Sequence, residues 1–248
     1  LYSKVYRRLS SEDSNILNNI YHLYERICLP FTFKEHVNMP LDESLTLDKF
    51  LNACANIYVA LIEFFKSLPE FGQISINGRL SLVKSNLNQI FRIHGAYLMK
   101  HITPDLCKDS PVYLRVFPQE IYAGIRNDSF KLTPFLCNPI LLKLFMIVLM
   151  LSTHLSTSFE QNCQDTLDEY SIRAILNVQN FYLKLLWRFI LSHSSSYRRS
   201  VQLITSFIGH TLTSQVLQAN INEYICTVLP SRVQELKPII KSVWISNK

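Results

Sequence analysis

Phe64-Phe65-Lys66-Ser67-Leu68-Pro69-Glu70-Phe71-Gly72-Gln73-Ile74, with Leu80-Ser81-Leu82-Val83-Lys84-Ser85 close behind, joins two long apolar patterns through one turn. Upstream, Leu47, Phe50, Leu51, Cys54, Ile57, Tyr58, Leu61, Phe64, Phe65 and Leu68 are separated by steps of three and one. That is a helical stripe, and Pro69 ends it. Ala53, Ala55, Val59, Ala60 and Ile62 lie outside the stripe and are apolar too. A helix apolar on most sides sits inside a bundle rather than on its surface. Residues 71–76 read as a turn, and Ser75 is placed to cap a helix over residues 77–99.

Working outward, Ser10-Ser11-Glu12-Asp13 is a cap-like acidic start, and Ile16, Ile20, Leu23 and Ile27 follow at helical spacing. A first helix is therefore expected over residues 11–28, stopping before Pro30. Residues 101–135 hold Pro104, Pro111, Pro118 and Pro134, and within them Val112-Tyr113-Leu114-Arg115-Val116-Phe117 alternates as a short strand does. Further helices are expected over 138–155, 165–192, 197–229 and 233–244, giving about nine helices and one small hairpin.

Composition agrees with a helical chain. Five glycines among 248 residues cannot supply the turns of a many-stranded barrel, a doubly wound sheet or a Gly-rich phosphate loop. Charged residues are 18% and apolar residues 48%, which excludes a disordered chain. The net charge of +6 comes from scattered residues with no basic stripe, so it reads as solubility rather than nucleic-acid binding. The six cysteines form no CxxC pair and most stand among apolar neighbours, as free thiols of a reducing compartment do. Residues 139–151 are strongly apolar but too short to span a bilayer, and they contain Lys143. Residues 200–222 lack charge altogether yet carry Gln202, His210, Gln215, Gln218 and Asn220, which argues for burial against protein and against a membrane span.

No motif for catalysis stands out. Asp165, Asp168 and Glu169 form one acidic cluster, whereas a helical isoprenoid enzyme needs two facing Asp-rich sites to hold a magnesium-bound diphosphate. The structural reading of that cluster is an acidic helix start. The seven histidines show no i,i+3 or i,i+4 pairing, so no helical metal site is expected.

The opening stretch resembles the signature of nuclear-receptor ligand-binding domains, F-x-K-x-[LI]-P-x-F-x-x-L-x-x-x-D-Q-x-x-L-L-K. Phe64, Lys66, Leu68, Pro69, Phe71, Ile74, Leu82, Val83 and Lys84 fit it. The pattern's Asp-Gln pair is Gly78-Arg79 here, Gln89 stands where a Glu is usual, and His94 stands where many members have Arg. Residues 10–28 are similar to the family's first helix, 198–224 to its fused tenth and eleventh helices, and 237–244 to its C-terminal activation helix. In that last segment Ile239, Ile240, Val243 and Trp244 fit, and Ser242 replaces the Glu. The first and last helices look most like those of the vitamin D, bile-acid and oxysterol receptor branch.

The resemblance implies an all-α, three-layer antiparallel helical sandwich with one small β-hairpin. Residues 1–248 would form a single ligand-binding domain, a fragment of a longer receptor whose DNA-binding zinc module is not in this chain. DNA would be reached only through that absent module, and the expected location is the nucleus, with no membrane association. No cofactor is implied beyond a lipophilic hormone-like ligand. Its pocket is expected at Leu51, Cys54, Ile57, Tyr58, Leu61, Ile90, Phe91 and His94, with polar contacts from Gln218 and Asn222. Plain core packing is the bland reading of each.

Coactivator or corepressor helices would dock on Ile62, Leu80, Val83, Ile239, Ile240 and Val243. Lys66 and Lys84 would cap one end and Ser242 would stand at the other. A neutral hydroxyl replaces a carboxylate there, so classical coactivation is expected to be weakened, by about 10-fold. The family's dimer seam would fall on Val201, Ile204, Phe207, Ile208 and Leu212, seam or core residues that periodicity does not split, against a retinoid X receptor-type partner or a second copy. Two competing readings stand beside this one: an orphan domain whose pocket is filled by side chains and which acts as an interaction or repressor module, and a helical lipid carrier or isoprenoid enzyme.

Overall fold

The computed structural model describes residues 9–30, 45–102, 111–152 and 167–244. Among them the chain is all-helical, with nine α-helices, two 3-10 segments and no strand. In order these are α1 (Ser11–Cys28), α2 (Leu47–Lys66), a 3-10 turn (Pro69–Gln73), α3 (Ile76–Ile102), α4 (Pro111–Val116), α5 (Gln119–Leu136), α6 (Pro139–Met150), α7 (Glu169–His193), α8 (Tyr197–Val228), a second 3-10 turn (Pro230–Glu235) and α9 (Pro238–Trp244).

Local chemistry explains most boundaries. The Ser10 hydroxyl accepts from the Asp13 amide at 2.9 Å and the Asp13 carboxylate accepts from the Ser10 amide, a capping box that starts α1. Asn138, Asp168 and Ser196 cap α6, α7 and α8 with the one-way bond, each side chain accepting from the amide three residues on. Ser75 Oγ accepts from the Gly78 amide at 3.1 Å, as the turn reading expected. Asp168 of the acidic cluster is thus a helix cap; Asp165 lies outside the described residues.

Three expectations need correction. Residues 112–117, expected as a strand, lie in and just after helix α4: Val112, Val116 and Phe117 are buried while Leu114 and Arg115 face out, a period of about four rather than two. Helix α5 fills what read as a proline-rich connection. Pro118 sits at its N-cap, where an amide is not needed, and Pro134 lies only two residues before its end. The helix expected over 233–244 is interrupted: Leu236 is extended (φ −77°, ψ 141°) ahead of Pro238, so a 3-10 turn and the short α9 replace it.

Helix α3 is the hub. It packs against α2, α5, α6, α7, α8 and α9, while α2 also packs against α1 and α9. Helix α2 buries residues around most of its circumference, among them Phe50, Leu51, Cys54, Ala55, Ile57, Tyr58, Ala60, Leu61, Phe64 and Phe65. That is the inner position its composition called for.

Lys143 is the exception in the apolar α6. Its side chain is 1% exposed, 3.4 Å from Glu25 Oε1, with the rings of Tyr24, Tyr21 and Tyr97 at 4.4, 4.7 and 4.9 Å from Nζ. Burial pushes its pKa down from 10.5 to about 8, with Glu25 opposing the fall. The ring faces attract a cation and oppose it too. The folded-state pKa thus lies below the unfolded one. Below about pH 8 folding must bury a charge, and that penalty fades as pH rises towards 10.5. The stability of the wild type relative to Lys143→Met should therefore climb across pH 8–10.5, by up to about 3 kcal/mol. Denaturant melts of both proteins at several pH values measure this; a gap that stays constant would refute it.

Candidate functional site: an apolar cavity and a docked C-terminal helix

A cavity of about 1030 Å³ lies between α2, α3, α4, α5, α8 and α9. Its apolar wall comes from Phe50, Leu51 and Cys54 of α2, from Tyr113 and Leu114 of α4 with the following Phe117, and from Ile221 of α8. Phe50 holds that wall together, its ring 5.2 Å from Tyr113 and 5.8 Å from Phe117 in edge-on contacts. Helix α3 contributes Asn88, Phe91, Arg92, Ala96 and Lys100. Helix α5 contributes Tyr122, Ala123, Arg126, Phe130 and Thr133 among others, at spacings of one helical face, and the exposed Phe130 stands at the rim. Trp244 of α9 completes the lining.

Of the ten residues expected to line a pocket, Leu51, Cys54 and Phe91 do so. Ile57, Tyr58, Leu61, Ile90 and His94 are core residues. Tyr58 still reaches the site indirectly: its ring stacks on Phe91 at 4.5 Å and its hydroxyl donates to Asn88 Oδ1 at 3.0 Å. His94 turns towards α1, where its Nδ1 pairs with the Tyr24 hydroxyl, and burial drives its pKa down to about 3, so it is neutral. Gln218 donates to Asn222 at 2.8 Å along α8, and neither lines the cavity. The sequence reading missed Arg92 and the whole α5 wall.

Arg92 anchors a buried polar cluster beside the cavity. Its Nη2 donates to the Ser214 carbonyl at 2.8 Å and to the Ser214 hydroxyl, and its Nη1 lies 3.6 Å from Asp128 Oδ2. The Ser214 hydroxyl donates to Asp128 Oδ2 at 3.1 Å, and His210 Nδ1 lies 3.5 Å from the other carboxylate oxygen. Burial lowers the pKa of His210, with Asp128 opposing. A serine nucleophile needs a base on its own hydroxyl. Here the carboxylate stands between serine and histidine, and the four groups together tie α3, α5 and α8. The Cys54 thiol, in the cavity wall, is pushed well above its ordinary pKa by burial and is unreactive. Among the described residues no group of three or more His, Cys, Asp or Glu could hold a metal, and no helix is long and apolar enough to cross a membrane.

Helix α9 is docked against α2 and α3. Asn52 Nδ2 donates to the Glu235 carbonyl at 2.8 Å, and its Oδ1 accepts from the Lys237 amide at 2.7 Å, bracketing the entry to α9. Asn88 Nδ2 donates to the Val243 carbonyl at 3.4 Å. Ile240 and Val243, expected on a docking groove, are instead buried beneath α9, because its apolar face is what fastens it to the core. Ile62, Val83 and Ile239 are half-buried, and Leu80 and Val59 are exposed. Lys66 is exposed and paired with Glu63 at 2.9 Å, and Lys84 is exposed. Ser242 is half-buried and donates its hydroxyl to the Ile239 carbonyl at 2.8 Å.

On α8, Val201, Ile208 and Leu212 are exposed, and Val216 extends them by a further turn. Ile204 is half-buried. Phe207, one of the residues that periodicity left between seam and core, belongs to the core: its ring stacks on Phe145 at 3.5 Å and meets Phe135 edge-on at 5.6 Å. Compared with known proteins, the chain matches no family model and no curated protein sequence.

Proposed function

We propose that this chain is the ligand-binding domain of a nuclear-receptor-type transcription factor. In this reading it is a binding module rather than an enzyme. It is a single domain arranged as a three-layer helical sandwich, takes a lipophilic ligand and works in the nucleus. The observation that carries the reading is the joint position of Trp244: it belongs to the short helix that follows the signature segment at long range, and it also lines a cavity walled mostly by apolar side chains. A volume of about 1030 Å³ supports a ligand-accepting pocket over one filled by aromatic residues. Native mass spectrometry of the purified domain should show a co-purifying lipophilic molecule. Ala123→Trp, at an exposed wall position, should expel it without lowering the melting temperature by more than a few degrees. An empty, stable wild-type domain would support the filled-pocket reading instead.

Coregulator helices would dock across Val59, Ile62, Leu80, Val83 and Ile239, with Lys66 and Lys84 at the carbonyl end of the partner helix. Lys66 is already paired with Glu63, and the Ser242 hydroxyl is already engaged with Ile239, which leaves the exposed Lys84 as the available cation at the carbonyl end. Ser242→Glu should tighten binding of an LxxLL peptide by about 10-fold, since a charge-assisted bond to the peptide's amide end is stronger than a neutral one. Fluorescence anisotropy measures it, and equal, tight binding by both proteins would sink the proposal.

The exposed Val201, Ile208, Leu212 and Val216 ridge on α8 carries no charge, as the core of a dimer interface does. Its proposed partner is a retinoid X receptor-type domain or a second copy. Leu212→Glu should shift sedimentation from dimer to monomer while leaving the helical content unchanged. A wild type that sediments as a monomer both alone and with that partner would count against the interface.

A further inference from the structure

We infer that Lys100 and Cys137 form a redox-sensitive modification site: a peroxide oxidises the Cys137 thiol, and the Lys100 amine then closes on the sulfur to give a covalent N–S link between α3 and α5. Lys100 stands in the last turn of α3 and Cys137 at the C-cap of α5, 37 positions apart in sequence. Lys100 Nζ donates to Cys137 Sγ at 3.2 Å. The thiol in turn donates to the Thr133 carbonyl at 3.6 Å, one turn back along α5. The sulfur is thus fixed between an amine and a carbonyl and still open to solvent. Among the described residues Cys137 is the exposed cysteine; Cys28 and Cys54 are buried and Cys226 is half-buried. Burial pushes the Cys28 thiol up to about 12 and lifts Cys54 as well, so neither competes for an oxidant.

The chemistry needs one external reagent, the peroxide. The sulfur attacks one peroxide oxygen, the O–O bond breaks, an S–O bond forms, and the thiol proton leaves with the other oxygen as water. The product is a sulfenic acid, whose sulfur is electrophilic. The Lys100 amine, in its uncharged form, then attacks that sulfur. An S–N bond forms, the S–O bond breaks, and the hydroxyl leaves with an amine proton as a second water. The sulfur loses two electrons and the peroxide gains them. A separation of 3.2 Å lies within the near-attack range of about 3–3.5 Å, so the two atoms react from where they stand. A sulfenic acid left in solvent goes on to a sulfinic acid, which thiols do not restore. The N–S link is opened by two thiols, which return the Cys137 thiol and the Lys100 amine and leave as a disulfide. Lys100 and Thr133 also line the cavity, so the link would take a cation out of its wall and join its α3 and α5 sides. The bond itself does not depend on the pocket reading.

Peptide mass mapping of the whole chain, after brief hydrogen peroxide treatment and alkylation of the remaining thiols, tests the site. The expected product is a pair of peptides joined through Lys100 and Cys137, lighter than the two together by about 2 Da and uncut by trypsin after Lys100. Excess dithiothreitol should return both peptides. Lys100→Arg keeps a cation beside the sulfur and removes the primary amine; Lys100→Gln removes both. In either variant the link should vanish, and sulfinic acid at Cys137 should rise about 3-fold or more over the wild type. In the wild type, an unreacted Cys137, a sulfinic acid there beside a free Lys100, or a disulfide from Cys137 to another cysteine would each overturn the inference. Equal oxidation of Cys137 in the wild type and both variants would overturn it too.

Discussion

Five polar side chains in the buried stretch of α3 fix where its neighbours lie. Asn86 donates to the carbonyls of Met150 and Ser152, at the end of α6. Asn88 accepts from Tyr58 on α2 and donates to Val243 on α9. Gln89 donates to the Thr211 carbonyl and Arg92 to Ser214, both on α8, while His94 meets Tyr24 on α1. Each contact reaches a different place. Apolar packing tolerates small slides between helices, but a polar group stranded in the core costs about 1–3 kcal/mol. A slide of α1, α2, α6, α8 or α9 would strand at least one of these groups, so hydrogen bonding sets their register in a core that hydrophobic burial only assembles.

The same helix divides stability from binding by rotation. Leu87, Ile90, His94 and Tyr97 follow one another at three- and four-residue steps on the face packed into the core, and His94 and Tyr97 both meet the Tyr24 ring. Asn88, Phe91, Arg92 and Ala96 lie on the face that looks into the cavity. Lys143 belongs to the first side: its charge is enclosed by three tyrosine rings and Glu25, all supplied by α1 and α3, so it joins α6 to both.

This division explains what could be read from the sequence. The apolar stripe of α2, the stop at Pro69 and the cap at Ser75 are local signals, and each survives in the structure. The pocket residues were legible only in part, because Ile90, Phe91 and His94 are all apolar or weakly polar and their ordering around the helix depends on which neighbour covers which face. Six residues, 112–117, are too few to separate a period of two from one near four. Helix α5 was hidden by Pro118 and Pro134, which look like breakers in a linear reading, though the first stands at the N-cap and the second only within the last turn. With α5 unseen, Arg126 and the opposite cavity wall had no place, and Arg92 had no visible partner in Asp128.

The C-terminal helix is docked without a carboxylate of its own. Helix α9 is held from beneath by Ile240 and Val243, from its start by Asn52 and near its end by Asn88. None of these contacts uses the position of Ser242, whose hydroxyl turns back onto the helix itself. The docking of α9 therefore does not depend on Ser242. Asn88 and Trp244 both line the cavity, so a bound molecule would press on the same two residues at which α9 meets α3. Occupancy can thereby favour or oppose the docked helix only through its differential contact with that pair, whatever the partner surface outside carries.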